Sequence, residues 1–229
     1  MTETTEKDDL GACVPRGRIG QPAGAEDAMP SAVYRAARGL ATPRTSHTHP
    51  LKIASVTQGG GLGRIGISFC PGKWQAAAMT GPWSRDIEVD LDAVARWGAV
   101  AVVTLVEADE LVALRVENMG AAVAARGMRW FHLPVPDVTA PGAAFEAAWS
   151  DAGLVLLNML QNGRDVFVHC KGGLGRAGTV AARLLVELGV EPDQAIAEVR
   201  AARPGAIQVP EQEAYVRQQR TRTLTKEGR

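Results

Sequence analysis

The chain has 229 residues, 46% hydrophobic and 22% charged, with 25 Lys and Arg balancing 25 Asp and Glu. That length supports one core, or at most two domains. The charge balance excludes a global field for nucleic acid or an anionic membrane, so any anion must be held by a local site.

Residues 1 to 48 are rich in Thr, Gly, Pro, Asp and Glu and carry little hydrophobic periodicity. They are expected to form a disordered or loosely attached arm, with one helical-looking piece at Ala32–Leu40. The charged start, Met1 to Leu10, lacks the apolar centre of a secretory signal. No apolar run approaches the about 20 residues of a membrane span.

From Leu51 the composition changes. Leu51–Val56 and Ile65–Cys70 are expected strands on either side of the glycine cluster Gly59–Gly63. Ile87–Trp97 has helical spacing (Ile87, Leu91, Val94, Ala95), and acidic residues occupy its first turn. Ala99–Val106 is a continuous Val-rich run, the pattern of a strand buried on both faces. Helices at Ala108–Leu114 and Val116–Arg126, a strand at Arg129–Leu133 and a Pro/Asp loop at Pro134–Pro141 follow. A long helix over Gly142–Gln161 leads through Asn162-Gly163 to the strand Asp165–Val168 and a glycine-rich loop. Helices at Arg176–Leu188, Pro192–Ala202 and Pro210–Thr221 complete the domain, which is assigned to 49–222 with a flexible tail at 223–229.

Strands alternating with helices predict an α/β fold. In it, a mostly parallel sheet of about five strands has helices on both faces. Ligands of such sheets lie beyond the carboxyl ends of the strands, which is where the loop after Val168 falls.

Residues 169–179 read His-Cys-Lys-Gly-Gly-Leu-Gly-Arg-Ala-Gly-Thr. Glycines at 172, 173, 175 and 178 let successive N–H groups turn inward as an anion nest. The start of the following helix adds free N–H groups and positive potential. Arg176 offers a planar fork for two phosphate oxygens. The same environment favours a thiolate at Cys170, since helix N-termini and cations lower a cysteine pKa to ~3.5–7.5 from about 8.5. The loop therefore combines a phosphate cradle (Lys171, Gly172, Gly173, Leu174, Gly175 and Arg176) with a nucleophile. Its segment Gly173–Gly178 also fits the dinucleotide pattern G-x-G-x-x-G, but no strand ending in an acidic residue follows about 20 residues later. A second match, Gly61–Gly66, precedes a strand and is read as chance. Three cysteines (Cys13, Cys70, Cys170) are too few, and odd in number, for a disulfide framework. That points to a reducing, cytoplasmic setting.

With this loop the sequence resembles the cysteine-dependent protein tyrosine/dual-specificity phosphatase superfamily, whose signature is H-C-x5-R. The Gly-Gly-Leu-Gly-Arg run is similar to that of the kinase-associated phosphatase-like group, and the resemblance runs from Cys70 to Arg217. It implies a protein tyrosine phosphatase-like fold and a metal-independent reaction through a phosphocysteine, without cofactor. In that reading Cys170 attacks and Arg176 binds phosphate. His132-Leu-Pro-Val-Pro-Asp137 resembles the general-acid loop, making Asp137 the proton donor to the leaving oxygen. Asp151, the nearest competitor, falls inside a helix pattern. Gly205–Gln212 resembles the family's glutamine loop, in which Gln208, helped by Gln212, would hold the hydrolytic water. Among Glu107, Asp109 and Glu110, the last is the expected clamp of Arg176. His169 is expected to orient the loop. The family's Ser or Thr after the arginine is replaced by Ala177, with Thr179 as a stand-in.

The implied substrate is a phosphorylated protein or small phosphomonoester, with no nucleic-acid partner. Lys171 also resembles inositol phosphate and phosphoinositide phosphatases, but Leu174 stands where those carry a second basic residue. A non-catalytic phosphate-binding pseudophosphatase and an arsenate-type reductase using Cys70 are the other readings. Alternatively, Cys70 would protect Cys170 as a disulfide under oxidation.

Overall fold

The computed structural model describes residues 41–222. Among these residues seven strands form: β1 (Ala54–Val56), β2 (Ile65–Phe69), β3 (Trp74–Gln75), β4 (Trp83–Ser84), β5 (Ala99–Thr104), β6 (Arg129–His132) and β7 (Asp165–Cys170). Seven helices accompany them among the described residues: α1 (Ile87–Trp97), α2 (Ala108–Ala113), α3 (Met119–Ala124), α4 (Ala143–Gln161), α5 (Gly175–Glu187), α6 (Pro192–Ala202) and α7 (Pro210–Gln218).

Five strands make one sheet in the order β1-β2-β7-β5-β6. Only the β1–β2 pair is antiparallel; β2–β7, β7–β5 and β5–β6 run parallel. The expected α/β architecture is therefore the observed one. Alternation along the central strands divides the core in two. Val102 and Phe167 face Leu91, Val94, Met119 and Val123 on one side of the sheet. Ala101, Val103, Val166 and Val168 face Leu156, Leu157, Val180 and Leu184 on the other. Helix α5 is buried along its whole length, so the loop that precedes it is anchored by the core at both ends.

Several boundaries differ from expectation. Backbone pairing keeps only three residues of the first expected strand, and 116–118 form turns rather than helix. The β3–β4 hairpin was not expected, because two-residue strands leave no periodic pattern. The helix expected at 32–40 and the tail at 223–229 lie outside the described residues.

The arm boundary at 48 is corrected: residues from Arg44 on belong to the folded domain. The Arg44 N–H donates to the Pro82 carbonyl at 2.9 Å, and the Ser84 N–H returns a bond to Arg44 at 3.1 Å. Ser46 is buried and its hydroxyl accepts from the Asp86 N–H at 2.9 Å. The physical reason is one arginine. Arg85 reaches Asp90 of α1 with Nε and Nη2, both at 2.7 Å, and donates from Nη1 to the His49 carbonyl at 2.7 Å. Asp90 also accepts from the Gly72 N–H at 2.9 Å. Polar, glycine-poor 44–49 is thus held by its backbone carbonyls, a device invisible to composition.

Both members of the Arg85–Asp90 pair are buried, so removing one leaves the other uncompensated. Asp90→Ala is expected to lower unfolding stability by about 3–5 kcal/mol, read as a lower urea midpoint. A loss under about 1 kcal/mol would mean that this pair does not hold the segment to the domain.

Candidate active site

Parallel pairing brings the last residues of β2, β7, β5 and β6 to one edge: Phe69 opposite Cys170, and Thr104 opposite both His169 and His132. Strand β7 delivers Cys170 there, 3% exposed, and 171–174 turn the chain into α5. The Gly173 N–H donates to Cys170 Sγ at 3.2 Å. Gly173 has φ +70°, and a Cβ on it would stand 2.3 Å from both the Phe69 nitrogen and the Ser68 carbonyl carbon. Only glycine fits this curl against the end of β2.

Arg176, in the first turn of α5, has a side chain 1% exposed. Nη1 donates to Glu110 Oε2 at 2.5 Å and to the Val135 carbonyl at 3.0 Å; Nη2 donates to Glu110 Oε1 at 3.1 Å. Asp137 Oδ1 lies 2.9 Å from Nη2. Nε is buried and unpaired among the described residues, a donor available to an oxygen of a ligand. Burial opposes the Arg176 charge, but the Glu110 hydrogen bonds and the nearby negative charges outweigh it and raise the pKa. For Glu110 burial likewise works upward. Bonds from Arg176 and from the Glu107 N–H prevail and hold its carboxyl below the usual range. Lys171 Nζ stands 3.9 Å from Glu110 Oε1. Of the acidic trio, Glu110 is the clamp, and Asp109 accepts from the Glu110 N–H at 2.9 Å.

The Asp137 loop extends β6 along β5. The Leu133 and Val135 N–H groups donate to the Thr104 and Leu105 carbonyls, both at 3.0 Å. Pro134 and Pro136 occupy the alternating positions, where no N–H is needed. This ladder aims the Val135 carbonyl at Arg176 and sets Asp137, 55% exposed, at the mouth of the cleft. Asp151 is exposed on α4 and outside the cleft.

The glutamine loop is tied just as closely. Gln208 Oε1 accepts from the Gly175 N–H at 3.1 Å, and the Gln208 N–H donates to Gln212 Oε1 at 2.9 Å. Gln212 in turn donates to the Thr139 carbonyl at 2.9 Å, joining this loop to the Asp137 loop. Val138 (φ 60°) and Ile207 (φ 58°) are β-branched residues in the left-handed region. Val138 adjoins Asp137 and Ile207 adjoins Gln208, and such strain persists only where surroundings impose it. Arg200 does so at Ile207, donating to the Ala206 carbonyl at 3.1 Å and the Ile207 carbonyl at 2.8 Å.

His169 is fully buried, and desolvation pushes its pKa down to about 3, so the ring is neutral. Trp130 Nε1 donates to Thr104 Oγ1 at 2.8 Å, and Thr104 Oγ1 lies 2.8 Å from His169 Nε2. The Thr104 hydroxyl therefore links the Trp130 indole to the His169 ring. The orienting role expected of His169 thus extends to Thr104 and Trp130, which no local motif singled out.

One expectation is corrected. Thr179 does not stand in for the missing hydroxyl at Ala177. Its Oγ1 donates to the Gly175 carbonyl one turn back, at 2.8 Å, and the residue is buried. Cys70 follows β2 beside the loop and burial pushes its thiol pKa up, which keeps it protonated. The cleft is lined by Asp137, Val138, Cys170, Lys171, Gly172, Leu174, Gly175, Arg176, Gln208 and Gln212. Among the described residues no three His, Cys, Asp or Glu side chains are grouped to hold a metal ion. No helix there is long and apolar enough to cross a membrane.

A family model described as polymorphic toxin system, DSP-PTPase phosphatase matches residues 77–190. That span takes in Asp137 and the whole of 169–179 and stops short of Gln208. Cyclin-dependent kinase inhibitor 3 of Sus scrofa is 36% identical over 135 residues, 58% of this chain, and the chain spans 62% of that relative's length. Among solved structures, kinase associated phosphatase with its catalytic cysteine substituted by serine aligns with a TM-score of 0.64 and 27% identity. That alignment covers 73% of this chain and 93% of the other. The active form of Tk-PTP gives a TM-score of 0.51 and 32% identity over 71% and 93% of the two chains.

Glu110→Gln removes the charge that locks Arg176. Binding of orthovanadate or inorganic phosphate, followed calorimetrically, is expected to weaken by roughly ten- to a hundredfold. Unchanged affinity would remove Glu110 from the anion site.

Proposed function

Because the chain belongs to the cysteine-dependent protein tyrosine/dual-specificity phosphatase superfamily, we propose that it hydrolyses phosphomonoesters through a phosphocysteine at Cys170. One observation carries this reading: Cys170 Sγ receives the Gly173 N–H at 3.2 Å at the base of a cleft walled by Arg176 and Asp137. Nucleophile, anion donors and a proton source share one opening.

In the first step the substrate's phosphoryl group occupies the nest of 171–176, its oxygens on loop N–H groups and on Arg176 Nε and Nη2. Seating it displaces Gln208 Oε1 from the Gly175 N–H and frees Asp137 from Arg176. The Cys170 thiolate then attacks phosphorus in line, an S–P bond forms and the ester P–O bond breaks. Protonated Asp137 gives its proton to the leaving oxygen, which departs as the alcohol. In the second step water attacks the phosphocysteine and Asp137, now a carboxylate, takes its proton. The S–P bond breaks to restore the thiolate and release phosphate. Gln208, once displaced from Gly175, orients that water. No metal ion is required by either step.

The preferred substrate class is a phosphorylated protein carrying phosphotyrosine, or phosphoserine and phosphothreonine. Leu174 and Val138 supply apolar edges beside the cleft, whereas Lys171 is drawn toward Glu110 rather than projecting as a second headgroup cation.

p-Nitrophenyl phosphate turnover in the presence of EDTA tests the reading. Cys170→Ser is expected to abolish it, and Asp137→Asn to lower kcat by about 10²–10⁴-fold. Turnover retained in Cys170→Ser would rule out the thiolate route. A wild type that binds vanadate but turns nothing over would identify a phosphate-binding module instead.

A further inference from the structure

The charges around Cys170 cancel. Arg176 is bound by both oxygens of Glu110 and approached by Asp137, and Lys171 leans on Glu110 as well. Two cations thus meet two carboxylates, and this set offers no net positive charge to a thiolate. Behind the loop, Lys73 is buried over the rings of Phe69 and Trp83 and donates to the Lys171 carbonyl at 3.4 Å; burial brings its pKa down to about 8, so it is still cationic near neutrality without a carboxylate partner among the described residues. His169 is neutral. Cys70 stays a thiol.

Arg203 is a second such cation. It ends α6 and is half-buried, yet among the described residues it forms no ion pair with any carboxylate. Burial depresses its pKa, and the one charge that supports the guanidinium is that of Cys170. Its hydrogen bond runs from Nε to the Gly173 carbonyl at 3.0 Å. Gly173 is the same residue whose N–H donates to Cys170 Sγ at 3.2 Å. A half-buried cation without a counter-charge is costly unless an anion elsewhere uses it.

We infer that Arg203 is a positioning residue for the nucleophile. It grips the Gly173 carbonyl so that the Gly173 N–H faces Sγ, and it supplies a positive charge without a carboxylate partner that favours the Cys170 thiolate. The inference rests on the phosphatase reading for its purpose, though not for its test. A purely structural tie to a loop carbonyl would be served equally by a neutral donor, so charge and hydrogen bonding can be separated.

The experiment uses the full chain as wild type, Arg203→Gln and Arg203→Lys. Iodoacetamide alkylation of Cys170 is followed by mass of its peptide across about pH 5 to 9, beside p-nitrophenyl phosphate kinetics on the same samples. In Arg203→Gln the alkylation midpoint is expected to move up by about one pH unit, with kcat/KM falling about tenfold near neutrality. Arg203→Lys is expected to keep a midpoint within a few tenths of wild type while KM rises, because charge is retained and the Nε geometry is not. An unchanged midpoint in Arg203→Gln, even with reduced turnover, overturns the inference and leaves Arg203 a scaffold residue. If Arg203→Gln does not fold, as judged by circular dichroism, Arg203→Lys decides alone, and a midpoint displaced by the full unit overturns the inference. A wild type without turnover strikes the hydrolase reading, whereas the alkylation midpoints still decide the role of Arg203.

Discussion

The bidentate contact between Arg176 and Glu110 is the constraint around which the cleft is arranged. Arg176 enters the core at the start of α5, with a side chain 1% exposed, and a guanidinium cannot stand there without a counter-charge. Glu110 meets that need from α2, on the opposite face of the sheet from α5. The contact therefore passes over the carboxyl edge of β5 and β7, and it fixes where the loops after both strands must lie. The Val135 carbonyl takes a further Arg176 proton and brings in the loop after β6. Three connections from three strands converge on one side chain. The Nε and outer Nη2 directions remain for phosphate because Glu110 holds the other side of the fork.

Such a clamp trades charge for geometry. Neutralising Arg176 with Glu110 makes its orientation definite but leaves less field for the thiolate and for a dianionic phosphate. The backbone makes up part of the difference. Amide N–H groups at a helix start act as fixed partial charges that need no counter-ion, and Gly173 already directs one at Sγ. Desolvation strengthens each of these interactions, since Cys170 is 3% exposed. The field at Cys170 therefore depends on where peptide planes point as well as on side-chain charges. That is why the contacts fixing loop carbonyls from behind, on Gly173, Ala206 and Ile207, matter as much as the residues lining the cleft.

The sheet was legible because its signals are local. Ala99–Val106 reads as a doubly buried strand, and the period of two in Asp165–Val168 sends Phe167 to one face and Val166 and Val168 to the other. The signature loop was legible because nucleophile, cradle and arginine lie within one turn of chain. Legibility ends where a residue acts across sequence distance. Arg85 holds 44–49 through backbone carbonyls, which accept from any sequence, so polar composition there read as an arm. Thr104 and Trp130 reach His169 across two strand pairings, and Arg203 reaches Gly173 from 30 residues away. Each was a routine strand or helix-end residue until the topology put it beside the loop. Thr179 failed for the opposite reason: its spacing suited the role, but a helical threonine has its own i−4 carbonyl within reach and took it.

Ala177 bears on the second step of the proposed reaction. When phosphocysteine is hydrolysed, negative charge returns to Sγ, and a hydroxyl after the arginine would ordinarily meet it. Here position 177 is a buried methyl packed in the α5 core, and Thr179 is committed elsewhere, so no side-chain hydroxyl of this loop is available. Charge on the departing sulfur must then be met by the Gly173 N–H and by whatever holds Gly173 in place. In that reaction the same contacts that prepare the thiolate for attack would also receive it as a leaving group, because both roles ask for stabilised charge on one atom. A loop of this composition thus concentrates on one glycine what other members of the family divide between a backbone amide and a hydroxyl, and that glycine is fixed from both sides: by the end of β2 at its Cα and by Arg203 at its carbonyl.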